Sequence, residues 1–186
     1  MNDFIINLTN LRKKISTPNS FKNSISELKE LKDSIITYLN MINFIKGKIT
    51  FGKDQYSLKI DFIWNDTVKD SNVTSNDINY EIYANLFNLS LCNNFISKLI
   101  DPENEDELKL KETIKNLEFS AGIIDKIKTE LPSLMPEKDI PIDLSDKYLQ
   151  FVNKKFFLNL FLFFLNFLAW KYYIGKGAIF FAKSRR

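Results

Sequence analysis

The chain of 186 residues contains no histidine, a single cysteine (Cys92), five glycines and five prolines. Without histidine, Ser-His-Asp triads and His-ligated zinc sites are excluded. One cysteine cannot close an intrachain disulfide. Gly47, Gly52, Gly122, Gly175 and Gly177 are too scattered for a phosphate loop or a dinucleotide fingerprint. No nucleophile is paired with a base in the sequence, so a non-enzymatic protein without cofactor or metal is expected. A strong charge of one sign is also missing. Lys plus Arg number 26 against 23 Asp plus Glu, a net charge of +3. No basic stripe interleaves with aromatics, so no nucleic-acid partner is expected. The opening MNDFIINLTN has Asp3 where a signal peptide needs a positive charge, and its apolar run is too short. A cytoplasmic protein is the expectation, and a lone Cys agrees with a reducing compartment.

What is abundant is Lys, Asn, Ile and Phe, with 17 Phe among them. These are residues of AT-rich codons, so isolated Asn- and Lys-based motifs carry little weight. The length suits one domain, able to bury roughly 70% of its unfolded surface.

Periodicity gives the elements. Residues 3–15 carry Ile5, Leu8, Leu11 and Ile15 on one helical face. After STPNS, a long helix is predicted from Phe21 to about Ile45, with Phe21, Ile25, Leu28, Ile35, Leu39 and Ile42 at three- and four-residue steps. Ser24 and Glu27 stand at capping-box spacing near its start. The period then becomes two. Tyr56, Leu58, Ile60, Phe62 and Trp64 alternate with mostly polar residues, predicting a half-buried strand in which Trp64 anchors against the helices. Ile49–Phe51 precede it across Gly52-Lys53-Asp54, which predicts a hairpin there. Residues 65–77 read as a loop.

A second long helix is predicted over about 77–100, with Ile78, Ile82, Leu86, Leu89, Phe95, Ile96 and Leu99 as its apolar face. A third covers about 105–130, marked by Leu110, Ile114, Leu117, Ala121, Ile124 and Leu131. Long amphipathic helices joined by short loops must bury their stripes against one another. The expected fold is mainly α, an array of long antiparallel helices with a small β-hairpin and a hydrophobic C-terminal helix. Pro132, Pro136 and Pro141 predict an extended link before Asp143-Leu144-Ser145 offers a new helix cap.

Two local features call for a plain reading. Numbered from Asp101, carboxylates at Asp101, Glu103, Glu105 and Glu112 fall at calcium-loop positions 1, 3, 5 and 12, but Asp106 replaces the Gly that the tight turn needs and Lys109 stands at position 9. Acidic residues beside a helix start explain the run without metal. Cys92 lies within a helical pattern with no adjacent cation to activate it, and reads as a packed thiol.

The C-terminal part differs in character. Phe156–Trp170 holds no charge between Lys154-Lys155 and Lys171, and would span about 22 Å as a helix against a hydrocarbon core of ~30 Å. Extending the run to Ile174 nearly closes that gap. Residues 1–152 therefore read as a helical domain and 153–186 as a Phe-rich tail. The tail is either a membrane anchor through 156–174 or a translated intron, since Val-Asn-Lys-Lys at 152–155 can be encoded by a splice-donor-like run.

Four segments carry a resemblance. Phe62-Ile-Trp64-Asn-Asp66 looks like the F-x-W-x-D strand of Bro-1 domains, the curved helical scaffolds of ALIX-type proteins. Tyr80-Glu81 followed by Leu86-Phe87-Asn88 resembles the family's Y/F-E…L-F-N helix. Leu117-Glu-Phe119-Ser-Ala-Gly122 resembles its F-x-x-A-x-G stretch, and Asp143-Leu144-Ser145 its D-[LI]-S helix start. All four are in register over about residues 8–150, part of such a domain. The resemblance implies a tetratricopeptide-like array, with Phe62, Trp64, Asp66, Glu81, Asn88 and Gly122 in structural roles. It also implies a protein-binding scaffold holding the C-terminal helix of an ESCRT-III subunit, in endosomal sorting and membrane scission at the endosomal membrane. Glu107 and Lys111, at i, i+4 near the start of one long helix, match the acid and Lys with which the family contacts that partner.

Overall fold

The computed structural model describes residues 2–16, 24–51, 57–66, 68–100 and 107–183, with the side chains of 2, 163 and 166–183 outside the described set. Phe21, the hairpin turn at 52–54 and the acidic carboxylates Asp101, Glu103 and Glu105 lie outside the described residues. Five helices and one hairpin make up the rest: α1 (Asn2–Ile15), α2 (Ile25–Lys46), β1 (Phe62–Asp66), β2 (Ser71–Ser75), α3 (Ile78–Leu99), α4 (Glu107–Leu134) and α5 (Asp146–Lys183). Single 3-10 turns at Glu137–Asp139 and Ile142–Leu144 connect α4 to α5.

Each helix packs on the next in chain order, most extensively α3 on α4 and α2 on α3. The cross-helix bonds give the direction. Lys14 meets Glu30 while Phe4 meets Phe44, Tyr38 meets Glu81 while Leu28 meets Cys92, and Tyr83 meets Glu130 while Ser90 meets Ser120. In each of these three helix pairs the position falls on one helix as it rises on the other, so α1 to α4 run antiparallel to their neighbours. The mainly α array with a small hairpin is what the sequence periodicity predicts.

The start of α2 is fixed by Ser24. Its hydroxyl accepts the Glu27 N–H at 3.3 Å, an N-cap bond, and donates to the Glu27 carboxylate at 2.9 Å. Helix α3 is buried on nearly every side, including polar Glu81, Asn85, Ser90, Asn93, Asn94 and Ser97. It forms the centre of the array, covered by α2, α4 and the hairpin. Its expected apolar face is therefore too narrow, and Phe95 and Leu99 point outward instead.

Ser90 and Ser120 set the approach of α3 and α4. Each hydroxyl donates to the other residue's carbonyl, at 3.0 and 2.9 Å, which only short side chains permit. The Cys92 thiol is fully buried and bonds the Leu28 carbonyl at 3.2 Å. Burial pushes its pKa up to about 11. A thiol so placed is expected to ignore Ellman's reagent at neutral pH until the chain is denatured. Fast labelling of the native protein would contradict this packing.

Two expectations are corrected. The described hairpin is not Ile49–Phe51 with Tyr56–Trp64 but β1 with β2, in the register Phe62↔Ser75 to Asp66↔Ser71. Strand β2 lies inside the stretch expected to be a loop. Its sequence, SNVTS, has only Val73 to pack, so backbone pairing makes the strand and no apolar alternation announces it. Phe51 and Leu58 form only an isolated bridge. Pro132 is also not part of an extended link. It sits inside the last turn of α4, held by the buried Leu131 and by the Met135 N–H bonding the Leu131 carbonyl at 3.0 Å.

Candidate protein-binding face

Glu81 lies at the convergence of four elements and is completely buried. The Arg12 guanidinium from α1 approaches its Oε1 at 2.6 Å. The Tyr38 hydroxyl from α2 donates to the same oxygen at 2.7 Å. Trp64 Nε1 from β1 donates to Oε2 at 2.6 Å. Asn85, one turn along α3, donates to the Glu81 carbonyl at 2.8 Å. Arg12 also stacks 4.1 Å from the Trp64 ring centroid and donates to the Ile63 carbonyl at 3.2 Å. A buried carboxylate needs such compensation, and here every compensating group comes from a different part of the array. Burial, then the Glu81 charge, pushes the Tyr38 hydroxyl pKa well up.

Asp66 does the same for the hairpin and the α4–α5 connection. Its Oδ1 accepts the N–H groups of Val68 and Lys69 at 2.9 and 3.0 Å, closing the turn. Its Oδ2 accepts the Ile142 N–H at 3.0 Å, tying the turn to the segment that leads into α5. Asp70 takes the left-handed conformation (φ 51°) that ends the turn, one that Asp tolerates better than most residues.

Phe62, Trp64 and Asp66 thus share the inward face of β1, with Phe62 buried in the common core. Asn88 is half-buried beside Trp64, Tyr80 and Asp143 around a crevice of about 30 Å³. A Cβ at Gly122 would meet nothing within 4 Å. Arg12, Tyr38 and Asn85 complete the Glu81 cluster and carry no motif. Arg12 reads from sequence as one more surface cation of α1.

Glu107 and Lys111 form an i, i+4 ion pair at 2.6 Å at the start of α4, both side chains mostly exposed. They stand on the solvent face of α4, away from the Glu81 cluster. On the flank of α4 nearer α2, Glu112 pairs with Lys29 at 2.7 Å, and Lys32 lies 5.6 Å from the Phe119 ring centroid. Below them α2, α3 and α4 enclose a groove of about 510 Å³, floored by Ile36, Leu39, Ile82, Leu86 and Leu89. Its rim carries Lys126 and Glu130, and Glu130 also accepts the Tyr83 hydroxyl at 2.9 Å. Bonding to Lys126, then to Tyr83, holds the Glu130 carboxyl below its ordinary range.

An array of antiparallel helices, pinned by the buried acids Glu81 and Asp66 and leaving the groove between α2, α3 and α4 open, has the form of a helical scaffold. The family model described as BRO1-like domain matches residues 1–156, and the chain belongs to that family. Such domains are ESCRT-related protein-binding scaffolds. Among curated proteins none matches the chain.

Proposed function

We propose that this protein is a non-enzymatic scaffold that holds the C-terminal helix of an ESCRT-III subunit during endosomal sorting and membrane scission. The observation that carries the reading is the exposed Glu107–Lys111 pair on α4, in a chain whose family is one of protein-binding scaffolds. The mode is helix-in-groove: apolar anchors seat the partner while Glu107 and Lys111 fix its polar edge. The proposed place of action is the cytoplasmic side of the endosomal membrane. Residues 1–152 act as the scaffold body and 153–186 as the segment nearest the membrane.

Titration with an ESCRT-III C-terminal helical peptide tests this reading. Lys111→Asp is expected to weaken binding roughly tenfold, about 1.4 kcal/mol. Its melting temperature should hardly move, because an exposed i, i+4 pair contributes only about 0.2–0.5 kcal/mol. Equal affinity of both variants would remove Lys111 from the contact. The rival reading is a small protein anchored by a single C-terminal transmembrane helix: among the described residues no helix is long and apolar enough to cross a membrane, and the side chains of 163 and 166–174, within its expected span, lie outside the described set.

A further inference from the structure

The basic and acidic residues are unevenly divided along the chain. From Lys147 to Arg186 there are eight Lys and Arg and no Asp or Glu. Residues 1–146 hold the other 18 cations and all 23 acids. A helical body of net negative charge is thus joined to a purely cationic segment, most of which is helix α5.

The described part of α5 has two unlike sides. Leu149, Val152 and Phe156 are buried in the common core, and Asn153 donates to Asp125 of α4 at 2.8 Å. The opposite side exposes Phe151, Phe157, Leu158, Phe161, Leu162 and Leu165, each between 45% and 60% exposed. Lys147, Lys154 and Lys155 are exposed on the same stretch. At about 150–250 Å² for a large side chain, this patch is on the order of 600 Å². Soluble monomers rarely show a larger one, and such patches mark contact sites.

We propose that the outer face of α5 docks on an anionic membrane surface, lying in the interface rather than crossing it. Cations flanking an apolar helical face suit the headgroup layer. The Lys stems lie along the acyl boundary while their charges meet lipid phosphates and carboxylates. The inner side argues against a span through this part of the helix. A helix committed to α4 as far as Phe156 cannot also be surrounded by lipid there. The acidic body is repelled by the same surface that attracts α5, which orients the array with α5 against the membrane. This surface is separate from the Glu107–Lys111 contact and deepens the membrane placement proposed above.

Flotation of the full chain with vesicles tests it, comparing phosphatidylcholine alone with phosphatidylcholine containing phosphatidylserine. Binding is expected only to the anionic vesicles, weakening with added salt and released by sodium carbonate. The double variant Leu158→Glu/Phe161→Glu should lose roughly tenfold or more in partitioning, as removal of buried apolar contact and added repulsion predict. The variant Lys154→Glu/Lys155→Glu should fall comparably. All four positions are exposed, so an unchanged melting temperature is the check that the body remains folded. Peptide titration through Lys111, read on the same variants, should be unaffected, so the two proposals fail separately. Equal binding to both vesicle types overturns the docking, as does vesicle binding that survives Leu158→Glu/Phe161→Glu. Resistance to carbonate would mean a spanning helix. A stable dimer that ignores vesicles would mean that a second copy covers the face.

Discussion

Glu81→Ala is expected to destabilise the fold by roughly 3–5 kcal/mol, the range for removing one partner of a buried ion pair. Four donors lose their acceptor together: the Arg12 guanidinium, the Tyr38 hydroxyl, Trp64 Nε1 and, at 3.3 Å, the Asn85 amide. Arg12 retains partial contact with solvent, which limits its share of the loss. Tyr38 is 2% exposed and has no such relief. Glu81→Gln separates shape from charge. One of its two atoms would be an NH2 group facing a donor, so most of the loss should persist. Trp64→Ala should cost a similar amount, about 3–5 kcal/mol, by removing the ring under Arg12 and the Nε1 bond together. Because the two side chains touch, their effects should not add, and a double-mutant cycle should return a coupling of about 0.5–3 kcal/mol. Urea denaturation supplies the numbers. An unchanged midpoint for Glu81→Ala, or strict additivity with Trp64, would mean that the cluster does not hold the array.

Asp66→Asn should cost about 2–3 kcal/mol at neutral pH, since an amide offers one acceptor where the carboxylate offers two. The Ile142 N–H or the Val68 and Lys69 pair would then face a donor. Burial by itself raises the Asp66 pKa, but the N–H groups of Lys69, Val68 and Ile142 outweigh it and hold the carboxyl below its ordinary value. A carboxyl whose folded pKa is depressed binds its proton more weakly folded than unfolded. Its contribution is therefore complete above the unfolded value of about 3.9 and disappears as pH falls through the lower folded value. The gap in stability between wild type and Asp66→Asn should accordingly be level above about pH 5 and close in acid. Urea midpoints at a series of pH values would read it. A gap that widened on acidification would contradict the assignment. Loss of the Ile142 bond should also loosen the approach to α5, seen as faster amide exchange at Ile142–Ser145.

Helices with one exposed and one buried side were legible in the sequence. Helix α2 is the clearest case, since Leu28, Ile35, Leu39 and Ile42 are all buried at the spacing that predicts the element. Helix α3 was legible as a helix but not as the centre of the array. When a helix is covered on most sides, its apolar residues no longer form one stripe, and Tyr80, Glu81, Asn85 and Ser90 are buried beside Ile82 and Leu89. Strand β2 was not legible at all, because backbone pairing with β1 and the Asp66 turn make it, and neither leaves a pattern in SNVTS.

The sequence by itself determined the class: long amphipathic helices, no histidine chemistry, one inert thiol, and family motifs at Phe62–Asp66, Tyr80–Asn88 and Leu117–Gly122. These depend on local periodicity and residue type, which a linear chain carries openly. Only the tertiary structure decided that Trp64 and Glu81 bond each other, that Arg12 joins them from 69 residues before Glu81, and that Asp66 reaches Ile142, 76 residues on. The same holds for the two sides of α5, since a run of Phe and Leu looks alike all round until α4 covers one side of it. Burial is a property of neighbours, and neighbours distant in sequence are fixed only when the chain packs.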